Sequence, residues 1–137
     1  MSPQFARRVF FWAGIYGLVT LLPLYLFESA LAEYMQPIMN RPEQYYGFVG
    51  VALAWQLAFL LISRDVFRFR PMMLPAIAEK LLFGVPVLFM IAGGRVTTDM
   101  LLPVLIDLLL AVLFVLAYRS TTRGVETTFP ADSARTK

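Results

Sequence analysis

Four mostly apolar stretches, residues 9–27, 46–63, 72–92 and 100–118, alternate with short polar segments that hold nearly all of the charge. A bilayer's hydrocarbon core takes about 20 apolar residues at helical rise, so each stretch is long enough to cross it. In lipid every backbone N–H and C=O must find a partner within its own segment, which makes the stretches helices. The pattern predicts an all-α fold: an integral membrane bundle of four transmembrane helices within residues 1–122. The polar residues 123–137 are expected to form a disordered cytoplasmic tail.

The first stretch invites a second reading. Arg7 and Arg8 precede it and Ala30, Leu31 and Ala32 follow it, as in a cleaved signal peptide. A signal peptide's apolar core is only about 7–15 residues long, so an uncleaved first helix is expected. Short connections at 64–71 and 93–99 predict antiparallel neighbours, helix two with three and helix three with four. The longer connection 28–45 is expected to begin with a short interfacial helix over 28–35, broken by Pro37 and Pro42.

Charge sets the expected orientation. Of the 12 Lys and Arg residues, nine fall on one side of the spans: Arg7, Arg8, Arg64, Arg68, Arg70, Arg119, Arg123, Arg135 and Lys137. Only Arg41 and Arg95 fall on the other side, and Lys80 lies inside a span. The basic side is expected to be cytoplasmic, with both termini there and the protein in the cell (inner) membrane. Because the basic residues flank apolar segments, the formal net charge of +3 reflects topology and implies no nucleic-acid partner.

Composition fits this picture: 59% of residues are hydrophobic and 15% charged, against about 25% charged in an ordinary soluble domain. The sequence has neither Cys nor His. That excludes disulfides, thiol relays, bis-histidine haem and a Ser–His–Asp triad, and it removes the usual zinc ligands. No cofactor, metal site or catalytic residue is assigned.

Small residues suggest where helices approach closely. Gly50, Ala54 and Ala58 recur every fourth position, with Gly47 one turn earlier, and Ala13 and Gly17 offer a shorter version. The longer stripe fits packing within one chain or a homodimer interface. Pro75 and Pro103 fall in first turns, where a missing N–H costs little. Pro23 and Pro86 lie deeper, and each releases a carbonyl, of Val19 and Leu82 respectively.

The ionisable residues inside the spans carry the most chemistry. Lys80 lies about 12 Å and Asp107 about 16 Å from the basic side at 1.5 Å per residue. Their depths match across an antiparallel pair, with Gln56 at a similar depth. Ala76, Lys80 and Gly84 share one face, as do Asp107, Ala111 and Tyr118. A charge at this depth costs several kcal/mol unless paired. The pattern predicts a Lys80–Asp107 pair, with Glu79 as a proton-titrating partner and Gln56 beside them. Two roles remain open: a functional site, or a clasp that fixes helix register. Lys80 also has the length to snorkel towards headgroups.

Two weaker clusters remain. Arg64, Arg68 and Arg70, interleaved with Phe67 and Phe69, are candidate lipid-headgroup contacts, although topology control explains them as well. The acids Glu28, Glu33, Glu43 and Asp99 have no spacing that fixes a cation site.

The span order, together with the helix start Tyr45, Tyr46, Gly47, Phe48, Val49 and Gly50, resembles small bacterial four-helix membrane proteins of the DoxX-like kind. The resemblance implies the fold and carries no site residue. The first span lacks the mid-membrane acid of small multidrug exporters of similar size. The expected function is that of a small multi-pass membrane protein, a non-catalytic accessory or lipid- or partner-binding protein. Its expected partners are the lipid bilayer, a second copy through Gly50, Ala54 and Ala58, or another membrane protein. The alternatives are a homodimeric transporter or channel using Gln56, Glu79, Lys80 and Asp107, and a lipid-processing enzyme. Whether those four residues line a cavity open to one side would distinguish the transporter.

Overall fold

The structure, a computed structural model, describes residues 2–27 and 42–121. The expected interfacial helix over 28–35, the acids Glu28 and Glu33, Arg41 and the tail lie outside the described residues. Four long helices follow one another: α1 (Pro3–Leu26), α2 (Pro42–Arg64), α3 (Met73–Ala92) and α4 (Leu101–Ser120). All four are long and apolar enough to cross a membrane. Short 3-10 turns at Arg70–Met72 and Thr98–Met100 lead into α3 and α4.

The helices exceed the apolar stretches mainly at the charged ends. α1 starts at Pro3 and so contains Arg7 and Arg8, both exposed. Hydropathy places a boundary where charge begins, but a long basic side chain on a terminal turn can reach water while its backbone stays helical. Pro75 and Pro103 sit in the first turns of α3 and α4, and the helices run on through Pro23 and Pro86.

The connections are built from local chemistry. After α2, Asp65 Oδ1 accepts the backbone N–H groups of Phe67 (3.2 Å) and Arg68 (3.1 Å). This satisfies donors the turn would leave free. After α3, Gly94 adopts φ +67° and Arg95 N–H donates to the Met90 carbonyl at 2.9 Å. That is a Schellman ending, which needs a left-handed residue where only glycine is unstrained.

Each helix buries one narrow stripe. On α1 it is Ala6, Phe10, Ala13, Gly14 and Gly17; on α4 it is Val104, Ala111, Phe114 and Ala117. Spacings of three, four and seven keep such residues on one face. The rest of each surface is apolar and exposed, including Trp12, Val19, Leu82, Phe89 and Leu102. Such a surface suits lipid, where an apolar side chain gains little from being covered.

The helices are arranged in the order α2, α1, α4, α3 around the bundle. α1 lies against α2, where Gly14 lets Leu60 approach so closely that an added Cβ would stand 2.8 Å from Leu60 Cγ and 3.0 Å from the Gln56 carbonyl oxygen. At the other end of this pair the Tyr45 hydroxyl donates to the Leu24 carbonyl at 2.7 Å. α1 meets α4 through a stacked Phe10–Phe114 pair, with ring centroids 4.3 Å apart and an interplanar angle of 18°. Phe59 of α2 meets Phe114 edge-on at 5.0 Å, closing a three-ring core. α3 packs on α4, where Gly84 admits Leu108 (2.9 Å from an added Cβ).

Two expectations need correction. Helices three and four are close antiparallel neighbours, but α2 and α3 barely touch despite their short connection. The turn after α2 spreads the two helices, because α2 is held by the glycines of α1 and α3 by the ion pair and Gly84 contact with α4. Nor does the Gly50, Ala54, Ala58 stripe carry the tightest packing within the chain. Ala54 is exposed, Gly47 has open space where a Cβ would stand, and Gly50 meets only Tyr25, at 3.8 Å from an added Cβ. The close approaches belong to Gly14, Gly17 and Gly84 instead.

A candidate ligand site between the helices

All four helices line a cavity of about 800 Å³, and its wall includes residues of α2 and α3, the two neighbours that barely touch. Phe48, Val51 and Leu82, each largely exposed, form part of its wall. Phe48 of α2 and Phe83 of α3 approach each other, with ring centroids 6.0 Å apart.

The polar residues singled out in the spans meet in this cavity. Gln56, Glu79, Lys80 and Asp107 all line it. Lys80 Nζ lies 2.9 Å from Asp107 Oδ1, and 3.3 Å from Glu79 Oε2. The expected Lys80–Asp107 pair is therefore formed, and the ammonium is held within the bundle rather than reaching for headgroups. Lys80 Nζ also stands 5.6 Å from the centroid of Phe59, at the edge of the aromatic core.

The three charged groups are not equally satisfied. Lys80 donates to Glu79 Oε1 at a long 3.5 Å, while Glu79 Oε2 is buried without a hydrogen bond. The 3.3 Å approach of Oε2 to the ammonium is an ion-pair contact whose angles do not make a hydrogen bond. Glu79 is thus the loosely bound member, and Asp107 is the principal partner of Lys80.

Gln56 is almost fully buried, and its Nε2 donates to the Ala52 carbonyl at 2.9 Å. Its carboxamide occupies the space a Cβ on Gly17 would take, so Gly17 is what allows the amide to lie between α1 and α2. Thr20, one turn on, also lines the cavity and donates its hydroxyl to the carbonyls of Tyr16 (2.9 Å) and Gly17 (3.1 Å). Tyr16, Trp55 and Phe83 add aromatic surface.

Sequence reasoning found the charged members and Gln56 but missed Tyr16, Thr20 and Trp55. The available signal was the Gly14 and Gly17 pair. Two glycines on the same face mark where α1 approaches α2, and Tyr16 and Thr20 flank that contact.

The three arginines separate. Arg64 and Arg68 are exposed at the basic end. Arg70 ties α3 to α4: its Nε donates to Thr121 Oγ1 at 3.3 Å and its guanidinium lies 4.0 Å from the Tyr118 ring centroid. Among the described residues no group of three or more His, Cys, Asp or Glu side chains is placed to hold a metal ion. Compared with protein-family models, curated proteins and solved structures, the chain matches none.

Proposed function

We propose that the protein is a non-catalytic membrane binding protein for an amphipathic small molecule. The ligand enters from the bilayer between α2 and α3 and places its polar end on Gln56, Glu79, Lys80 and Asp107. The observation that carries this is the four-helix cavity of about 800 Å³ with Gln56 and the Lys80 ion-pair cluster on its wall. Ligand pockets commonly measure about 300–1,000 Å³, with mostly apolar walls and a few convergent polar groups. In the proposed setting the chain sits in the cell (inner) membrane with both termini cytoplasmic, supported by the concentration of Arg and Lys on one side of the spans. Arg64 and Arg68 would then meet anionic headgroups.

Native mass spectrometry of protein extracted gently from its own membrane tests the binding role. The unchanged chain should carry a small stoichiometric adduct. Ala78→Trp, which fills the cavity from an exposed position on its wall, should lose it. An adduct equally present on both, or absent from both, overturns the proposal.

The same cavity favours a second reading, a transporter of that amphiphile. It requires the ligand to reach the opposite leaflet or the water beyond, and transfer by the reconstituted protein in vesicles would distinguish it. A second copy, or another membrane protein, would meet the outer face of α2 at Gly50 and Ala54. Chemical cross-linking in the native membrane would capture either partner.

A further inference from the structure

The cavity's charge selects its ligand. Ionised Glu79 and Asp107 together outweigh Lys80 by one negative charge. The ammonium is also the least accessible of the three, its side chain 7% exposed against 20% for Glu79 and 17% for Asp107. The two carboxylate side chains are therefore more accessible from the cavity than the ammonium is.

One of those oxygens is also unsatisfied, since Glu79 Oε2 is buried without a hydrogen bond. A buried carboxylate that lacks full compensation must be neutralised, by a proton or by a cation. The cavity that Glu79 lines is also walled by Tyr16, Phe48, Trp55 and Phe83. Aromatic faces attract organic cations, most strongly where water is excluded. Thr20 adds acceptor capacity of the same sign, because it spends its proton on its own helix and keeps only lone pairs for a ligand.

We infer that the ligand is an amphipathic organic cation whose charged centre sits against Glu79, within the aromatic wall, an inference that rests on the binding role proposed above. Lys80 and Asp107 form the fixed pair that holds α3 to α4. Glu79 supplies the charge left over for the ligand.

Two tryptophans occur in the chain, Trp12 and Trp55. Trp12→Phe removes the one on the outer surface of α1 and leaves Trp55 reporting from the cavity wall. This protein, in phosphatidylcholine nanodiscs, is titrated with three probes of matched bulk: tetraphenylphosphonium, neutral tetraphenylsilane and tetraphenylborate. Blank nanodiscs give the partitioning background.

Tetraphenylphosphonium is expected to change Trp55 emission saturably. The neutral probe should bind about ten-fold or more weakly and the anion not at all. Glu79→Gln, which leaves the Lys80–Asp107 pair in place, should weaken the cation about ten-fold and leave the neutral probe unchanged. If the neutral or anionic probe binds as tightly as the cation, the charge assignment is overturned while the binding role stands. The same holds if Glu79→Gln binds the cation undiminished. If no probe produces a saturable change, both fall. The comparison of probes on one folded chain does not depend on the variant's stability.

Discussion

The two ends of the bundle are built on different principles. At the basic end Phe10, Phe59 and Phe114 interlock with Ile62, Val66, Met73 and the alanines 6, 76 and 117 in one buried cluster. Beyond the middle, α1 buries nothing after Gly17 and α3 nothing after Gly84. The polar cluster lies at mid-depth, and the far end is held by single contacts such as Tyr45 to the Leu24 carbonyl. In lipid, apolar side chains have little reason to prefer each other over acyl chains, so close packing must come from shape and from polar contacts. The basic end uses shape and the other end uses a few specific contacts. A protein with one tightly packed end can keep the other open enough to admit a ligand.

That contrast makes graded predictions. The largest effect is expected from Asp107→Leu, which leaves Lys80 buried with only the poorly aligned Glu79. Removing one partner of a buried pair costs about 3–5 kcal/mol, and the remaining carboxylate should hold the loss near the lower value. Unfolding of the protein in mixed micelles by increasing dodecyl sulfate measures it. A loss below 1 kcal/mol would mean the pair does not hold α3 to α4.

Next comes Phe114→Ala, at the centre of the packed end. The cavity contribution, about 24 cal/mol per Å³, gives a loss of about 2–3 kcal/mol for a phenyl-sized void. The full cost in a soluble core would be larger, since there water is the competing environment. Leu82→Ala, on the exposed lip of the cavity, should by contrast stay within about 0.5 kcal/mol in the same assay. Equal losses would erase the distinction between the two ends.

The smallest contrast concerns glycines on facing helices. Gly14→Ala forces a methyl against Leu60 and the Gln56 carbonyl and should cost about 1–3 kcal/mol through overpacking. Gly47→Ala meets nothing and should stay within about 0.5 kcal/mol. A large loss at Gly47, dependent on protein concentration, would reveal a second copy seated on α2.

Legibility in the sequence followed the physics of each feature. Lys80 and Asp107 could be paired in advance because helical rise fixes depth, and matched depths on antiparallel neighbours bring side chains together. Their faces were legible too, since small and polar residues repeat on them every three or four positions. The helix ends were less so at Arg7 and Arg8, because hydropathy records charge and not backbone conformation. Gly50, Ala54 and Ala58 form the longer stripe of small residues, yet the close approaches use Gly14, Gly17 and Gly84. Spacing marks where a helix is smooth, but the neighbour's shape, here Leu60 and Gln56 against Gly14 and Gly17, decides which smooth face is used.

By itself, then, the sequence determined a four-helix transmembrane bundle, the depth of each buried charge and the pairing of α3 with α4. Those follow from local quantities: apolar length, rise per residue and the cost of a lone charge in hydrocarbon. The separation of α2 from α3 and the meeting of Tyr16, Trp55 and Glu79 around one cavity were decided only by the tertiary structure. They depend on which neighbour each helix packs against, and two helices joined by a short turn are equally free to meet or to spread apart.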